Sequence, residues 1–70
     1  MSDINFYNIA SAEKLGWTPE WFGCEIFDED LQQAIREFQT RTGSKPDGMC
    51  GPSTYRRKYT ERISSIEETH

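Results

Sequence analysis

Apolar residues recur along the chain at steps of three and four and nowhere alternate convincingly, so the pattern predicts helices and no strand. The clearest run is Leu31, Ala34, Ile35 and Phe38, one face of a helix. Asp28 stands where an N-cap belongs, Glu29 and Asp30 suit the positive end of the helix dipole, and Gly43 is a natural stop. These signals place a helix at about 28–42. Another begins at Pro52, a residue suited to the first helical position, and carries Tyr55, Tyr59, Ile63 and Ile66 on one stripe to about residue 65. The two tyrosines are expected in the core or at its edge. Towards the N-terminus, Ile4, Phe6, Tyr7, Ile9, Ala10 and Leu15 suit a helix that Gly16 ends.

The segments between these runs are rich in turn chemistry. Trp17-Thr18-Pro19-Glu20-Trp21-Phe22-Gly23 reads as an aromatic connector, irregular but ordered. In the loop from Gly43 to Pro52, Pro46-Asp47-Gly48 is a turn signal, because proline presets φ and glycine accepts a positive one. The expected fold is all-α, a compact three-helix bundle with long structured turns. Residues 1–66 form one helical domain in this reading, and 67–70 a frayed tail or the start of a linker. A faint duplication also runs through the chain, with Phe27 set beside Cys50 and Cys24 opposite Asp47. By that register Cys50 should be buried and Cys24 more exposed, both as free thiols.

Size and charge narrow the partners. A chain of 70 residues buries only about 60% of its surface, so little core is left to enclose a deep active site. Its nine aromatics, the sum of two Trp, three Tyr and four Phe, partly offset an apolar fraction of 34%. The net charge of −4 disfavours nucleic acid and anionic membranes, which both need a basic face. The start, Met1-Ser2-Asp3-Ile4-Asn5-Phe6, has no signal-peptide or membrane-span character. Synthesis in the cytoplasm is therefore expected: either the protein works there, or something else delivers it outward, as a holin does for a phage lysin, or the sequence is a fragment cut from a longer chain.

Candidate chemistry is sparse. Cys24 and Cys50 match no zinc spacing, and the one histidine is His70, so no metal ligands or cofactor are expected and no nucleophile has an internal histidine to activate it. Asp28, Glu29 and Asp30 could suggest glycan hydrolysis, but capping explains them, and a catalytic acid needs burial to raise its pKa. No catalytic residue is assigned. Arg56-Arg57-Lys58 spreads around a helix and reads first as a solvated face, with Arg56 or Arg57 also able to meet a carboxylate. Trp17, Trp21 and Phe22 could pack or form a platform on which a sugar ring stacks.

Leu15-Gly16-Trp17, then Phe27, then Ala34-Ile35-Arg36-Glu37-Phe38-Gln39, then Asp47-Gly48-Met49-Cys50-Gly51-Pro52-Ser53-Thr54 follow one another in an order with a parallel. Over about residues 9–60 the chain resembles the small peptidoglycan-binding domains of bacterial and phage cell-wall hydrolases. The second turn of that pattern is nearly complete here, and the first keeps only its aromatic, Phe27. The resemblance implies a non-catalytic module that targets a lytic enzyme to peptidoglycan or a muropeptide, with the hydrolase domain on the same or another chain. The ligand residues it suggests are Trp21, Asp47, Gly48, Met49, Gly51, Thr54, Tyr55, Arg56 and Arg57. The alternative is an intracellular protein-interaction module on the same bundle, since fold does not determine function. An inhibitory pro-segment fits less well, because Met49-Cys50-Gly51-Pro52 does not resemble the Pro-Arg-Cys-Gly of metalloprotease switches.

Overall fold

A computed structural model describes the backbone of residues 3–68 and the side chains of residues 3–64. Helix α1 is Asp3–Leu15, α2 is Glu29–Arg41 and α3 is Pro52–Glu68, with a 3-10 turn at Pro19–Phe22 between the first two. Among the described residues there is no strand, and the fold is an all-α three-helix bundle. Helix α3 continues three residues beyond its predicted end. The side chain of Ile66 and the end of the chain, Thr69 and His70, lie outside the described residues.

Helix α2 forms for the reasons legible in its sequence. Asp28 is extended and its carboxylate accepts the Leu31 N–H at 3.1 Å, which satisfies a donor the first turn leaves unpaired. At the other end Gly43 takes φ +81°, Ser44 N–H donates to Gln39 O at 2.7 Å and Gly43 N–H donates to Thr40 O at 3.2 Å. That bond pair closes a helix on a left-handed glycine and stops it. Leu31, Ile35 and Phe38 are buried as the spacing requires.

Helix α1 is present, but its buried face is not its apolar one. Asn8, Ser11 and Ala12 are buried, whereas Phe6 is 76% exposed and Tyr7 and Ile9 lie outward. The polar pair is buried because it bonds to a distant loop, described below. In helix α3, Thr54 is the buried residue among the described side chains, Tyr55 edges the core as expected, and Tyr59 departs from that expectation at 48% exposed, with Ile63 also outward. The predicted tyrosine stripe is therefore the rim of the bundle.

The core is Ala12, Trp17, Leu31, Ile35 and Cys50, with Leu15, Phe22, Phe27 and Tyr55 packed around it. Trp17 is its largest member and is 2% exposed, so it packs and displays no ring face. Its indole N–H donates to Ser11 Oγ at 3.1 Å, which removes the penalty of burying that group. Phe22 meets it edge to face at 84° and Phe27 tilts against it at 59°. Cys50 is buried and Cys24 half-buried, both with free thiols, in the order the duplication predicts. Burial pushes the Cys50 thiol up to about 12. Desolvation, and then the charges of Asp28 and Asp30, raise that of Cys24.

Candidate functional site

The loop from Asp47 to Thr54, the most motif-like part of the chain, is held by two buried side-chain amides. Gln39 reaches it from α2: its Nε2 donates to Asp47 Oδ1 at 3.0 Å, Met49 O at 3.0 Å and Thr54 Oγ1 at 3.2 Å, and its Oε1 accepts the Gly48 N–H at 3.0 Å. Asn8 reaches it from α1, donating to Gly48 O at 3.1 Å and accepting Cys50 N–H at 2.9 Å. The Ser11 hydroxyl donates to Cys50 O. Buried amides must be satisfied, and these satisfy the loop backbone at the same time.

This arrangement alters the expected chemistry of the loop. Met49 N–H donates to Asp47 Oδ1 at 2.9 Å and Gly51 N–H to Met49 O at 3.0 Å. With Gly48 and Cys50 already engaged, every backbone donor from 48 to 51 has an acceptor inside the fold. The Thr54 hydroxyl is buried against Gln39. These donors and this hydroxyl build the turn, because a buried loop must pair its own polar groups. Gly48 serves the turn through its φ of +78°, and the Arg36 guanidinium lies where a Cβ would point, its Nε 3.2 Å away. Met49 and Gly51 are half-buried, with the Tyr7 hydroxyl against Gly51.

The basic run also separates into distinct roles. Arg56 is exposed. Arg57 donates to Thr42 O at 2.9 Å and so holds the end of α2 to α3. Lys58 does not sit on a solvated face: its ammonium lies 5.3 Å and 5.0 Å from the Phe22 and Phe38 ring centroids and 3.6 Å from Glu61. Glu61 also pairs with Arg41 at 3.2 Å, so one carboxylate gathers two cations across α2 and α3.

A cluster of aromatic rings lies at the rim of the bundle. Trp21 in the 3-10 turn lies beside Tyr55 and Tyr59 of α3, and the three ring planes are within 24° of parallel. The Arg62 guanidinium stacks on Trp21 with its carbon 4.5 Å from the ring centroid. Of the residues expected at a site, the structure thus brings Trp21 and Tyr55 together and leaves Arg56 exposed nearby in sequence on α3. It assigns Asp47, Gly48, Thr54 and Arg57 to internal bonds. Tyr59 and Arg62 were not anticipated as members of this surface. Tyr59 was read as core or core edge from the apolar stripe; Arg62, seven residues from Tyr55 on the same helix face, is the member that a reading of apolar residues alone passes over.

The described residues contain no group of three or more His, Cys, Asp or Glu able to hold a metal ion, and no helix long and apolar enough to cross a membrane. The clefts are shallow; one of about 200 Å³ lies between α1 and the start of α3, lined by Tyr7, Leu15 and Pro52 among others. No curated protein and no solved structure matches the chain. The sequence pattern of the peptidoglycan binding domain matches residues 14–57, which takes in the 3-10 turn, all of α2, the Gln39-bound loop and the first turns of α3. A match over that much of the chain, on a three-helix bundle built around that loop, means that the chain belongs to the peptidoglycan binding domain family.

Proposed function

We propose that this chain is a non-catalytic module that attaches to peptidoglycan and holds a lytic enzyme against it. The observation that carries the reading is the family match over residues 14–57, in a fold that groups Trp21, Tyr55, Tyr59 and Arg62 at its rim. Asp28, the first of the three consecutive acids, is engaged as a helix cap, and a chain with so small a core offers little means of raising a carboxyl pKa for acid catalysis. Attachment alone is useful, because tethering raises the local concentration of an enzyme on an insoluble polymer. The hydrolase, on this chain or another, then acts in the cell wall, as phage lysins do.

The contact surface in this reading is Trp21 and Tyr55, with Arg56 placed to meet a stem-peptide carboxylate through a charge-assisted bond. Asp47, Gly48, Met49, Gly51, Thr54 and Arg57 support it by shaping the loop and fixing the start of α3. Shallow contacts of this kind give weak binding, with dissociation constants in the range of ~1 μM or above. The test is co-sedimentation with purified sacculi. Wild type is expected in the pellet, and Arg56→Ala is expected to shift toward the supernatant with an unchanged helical signal. A folded wild type that leaves sacculi of several chemotypes unbound would overturn the reading. The alternative, a protein-interaction module, would then lead, favoured by the exposed Phe6 and Ile9 on α1.

A further inference from the structure

Trp21, Tyr55 and Tyr59 are arranged unlike the other aromatics of the molecule. Their centroid separations are 5.5 Å, 6.4 Å and 6.0 Å, and their planes differ by 21°, 24° and 18°. Three parallel rings in a column would leave the outer pair at about twice the neighbour distance. Three nearly equal separations mean that the rings lie side by side as a terraced pavement. Inside the bundle the rings instead meet edge on, as Trp17 with Phe22 at 84° and Phe22 with Phe38 at 77°. Trp21 and Tyr55 rest on the core, whereas Tyr59 keeps 48% of its surface in solvent. Tyr59 and Arg62 also lie beyond residues 14–57, so the family match assigns them nothing.

We propose that this pavement takes the glycan strand of peptidoglycan, one N-acetylated sugar ring stacking its C–H face on Tyr59, beside the Trp21 ring that Arg62 covers. The inference rests on the peptidoglycan reading above and names the part of the polymer that is read. A pyranose chair offers a flat apolar face of about the size of an aromatic ring, with hydroxyls and the acetamido group at its edge. Arg62, lying across Trp21, supplies N–H donors at that edge. Stem peptides present carboxylates instead; Arg41 and Lys58 are engaged by Glu61 and Arg57 by Thr42 O, so Arg56 is the basic side chain of that run left for such a contact, and it is not one of the stacked groups. The flat apolar area at Tyr59 is recognition chemistry suited to a sugar face.

The experiment uses two probes, peptide-free glycan strands released from sacculi by an amidase and the freed stem peptides. Tryptophan fluorescence reports on the pavement, because Trp17 is buried and Trp21 is not. A saturable change is expected with the strands and none with the peptides. Tyr59→Ala should weaken strand binding about ten-fold with the melting curve preserved, Tyr59→Phe should retain it, and Phe6→Ala on α1 should leave it unchanged. Trp21→Ala is the secondary variant, since that ring also touches the core. Wild type that sediments with sacculi yet ignores peptide-free strands would overturn the glycan inference and leave the peptidoglycan reading standing. So would recognition of stem peptides alone, or an equal loss in Phe6→Ala. Binding to neither sacculi nor strands would remove both.

Discussion

At the scale of single residues, Gln39 joins α2, the loop and α3. Its amide hydrogens are shared among three acceptors, and its oxygen takes the Gly48 N–H. Gln39→Leu keeps the volume but orphans these groups, and is expected to destabilise the fold by about 2–4 kcal/mol in urea titrations. Gln39→Glu should also destabilise at neutral pH, since a carboxylate oxygen would replace the amide donor that faces Asp47 Oδ1 and Met49 O. Its deficit should shrink in acid: the introduced carboxyl has a raised folded pKa, so its stability is present at low pH and lost as pH rises. Cys50 gives the complementary experiment in base. Its folded value is about 12 against an ordinary 9.0. The folded state keeps the proton while the unfolded state loses it, so this contribution is full below pH ~9 and declines towards pH ~12, by at most about 1.4 kcal/mol per pH unit. Denaturation of Cys50→Ala across that window should lack this slope, although the variant starts from a lower stability because of the cavity it leaves.

At the scale of elements, α2 is the organising helix. One face enters the core through Leu31 and Ile35. Phe38 seals a second cluster with Phe22, at a centroid distance of 5.9 Å, beneath Lys58 and Arg41 at 5.0 Å and 5.2 Å. Phe38→Ala would remove the apolar floor under two cations and open a cavity, a loss of about 3–5 kcal/mol. Domains of this size have roughly that much stability in total, so the variant is expected to be mostly unfolded by far-UV circular dichroism at 25 °C. A cooperative melt near the wild-type midpoint would show that α2 is not held by this face. Helix α1 follows another logic. It is joined to α2 by Gln32 Nε2 donating to Asn5 Oδ1 at 2.7 Å and to the loop by Asn8 and Ser11, so polar fit, more than apolar area, positions it.

At the scale of the whole molecule, binding should be short-range. The protein carries a net charge of −4, so long-range attraction to an anionic polymer would not drive it. Retention on sacculi is therefore expected to survive about 0.5 M salt, where the Debye length is only a few Å, and the chain should stay soluble beside duplex DNA and anionic vesicles. Binding that collapses between about 50 and 200 mM salt would indicate ionic recognition, and would move the emphasis from the aromatic pavement to Arg56.

The sequence by itself determined the three helices and most of their ends, the last turn of α3 excepted. Capping by Asp28, the stop at Gly43, the start at Pro52 and the Leu31–Phe38 periodicity are interactions between near neighbours, so they are written locally and can be read locally. The loop from Asp47 to Thr54 was legible as a turn for the same reason. Tertiary structure decided which groups the turn leaves free. Asn8 meets Gly48 and Cys50 across 40 and 42 residues, and Gln39 meets Thr54 across 15, so no local signal shows that the motif's donors are already engaged. The same holds for the inverted burial of α1, for Lys58 over two phenylalanine rings, and for the aromatic pavement. Trp21 sits 34 residues before Tyr55, and only the packing of the 3-10 turn against α3 lays their rings side by side.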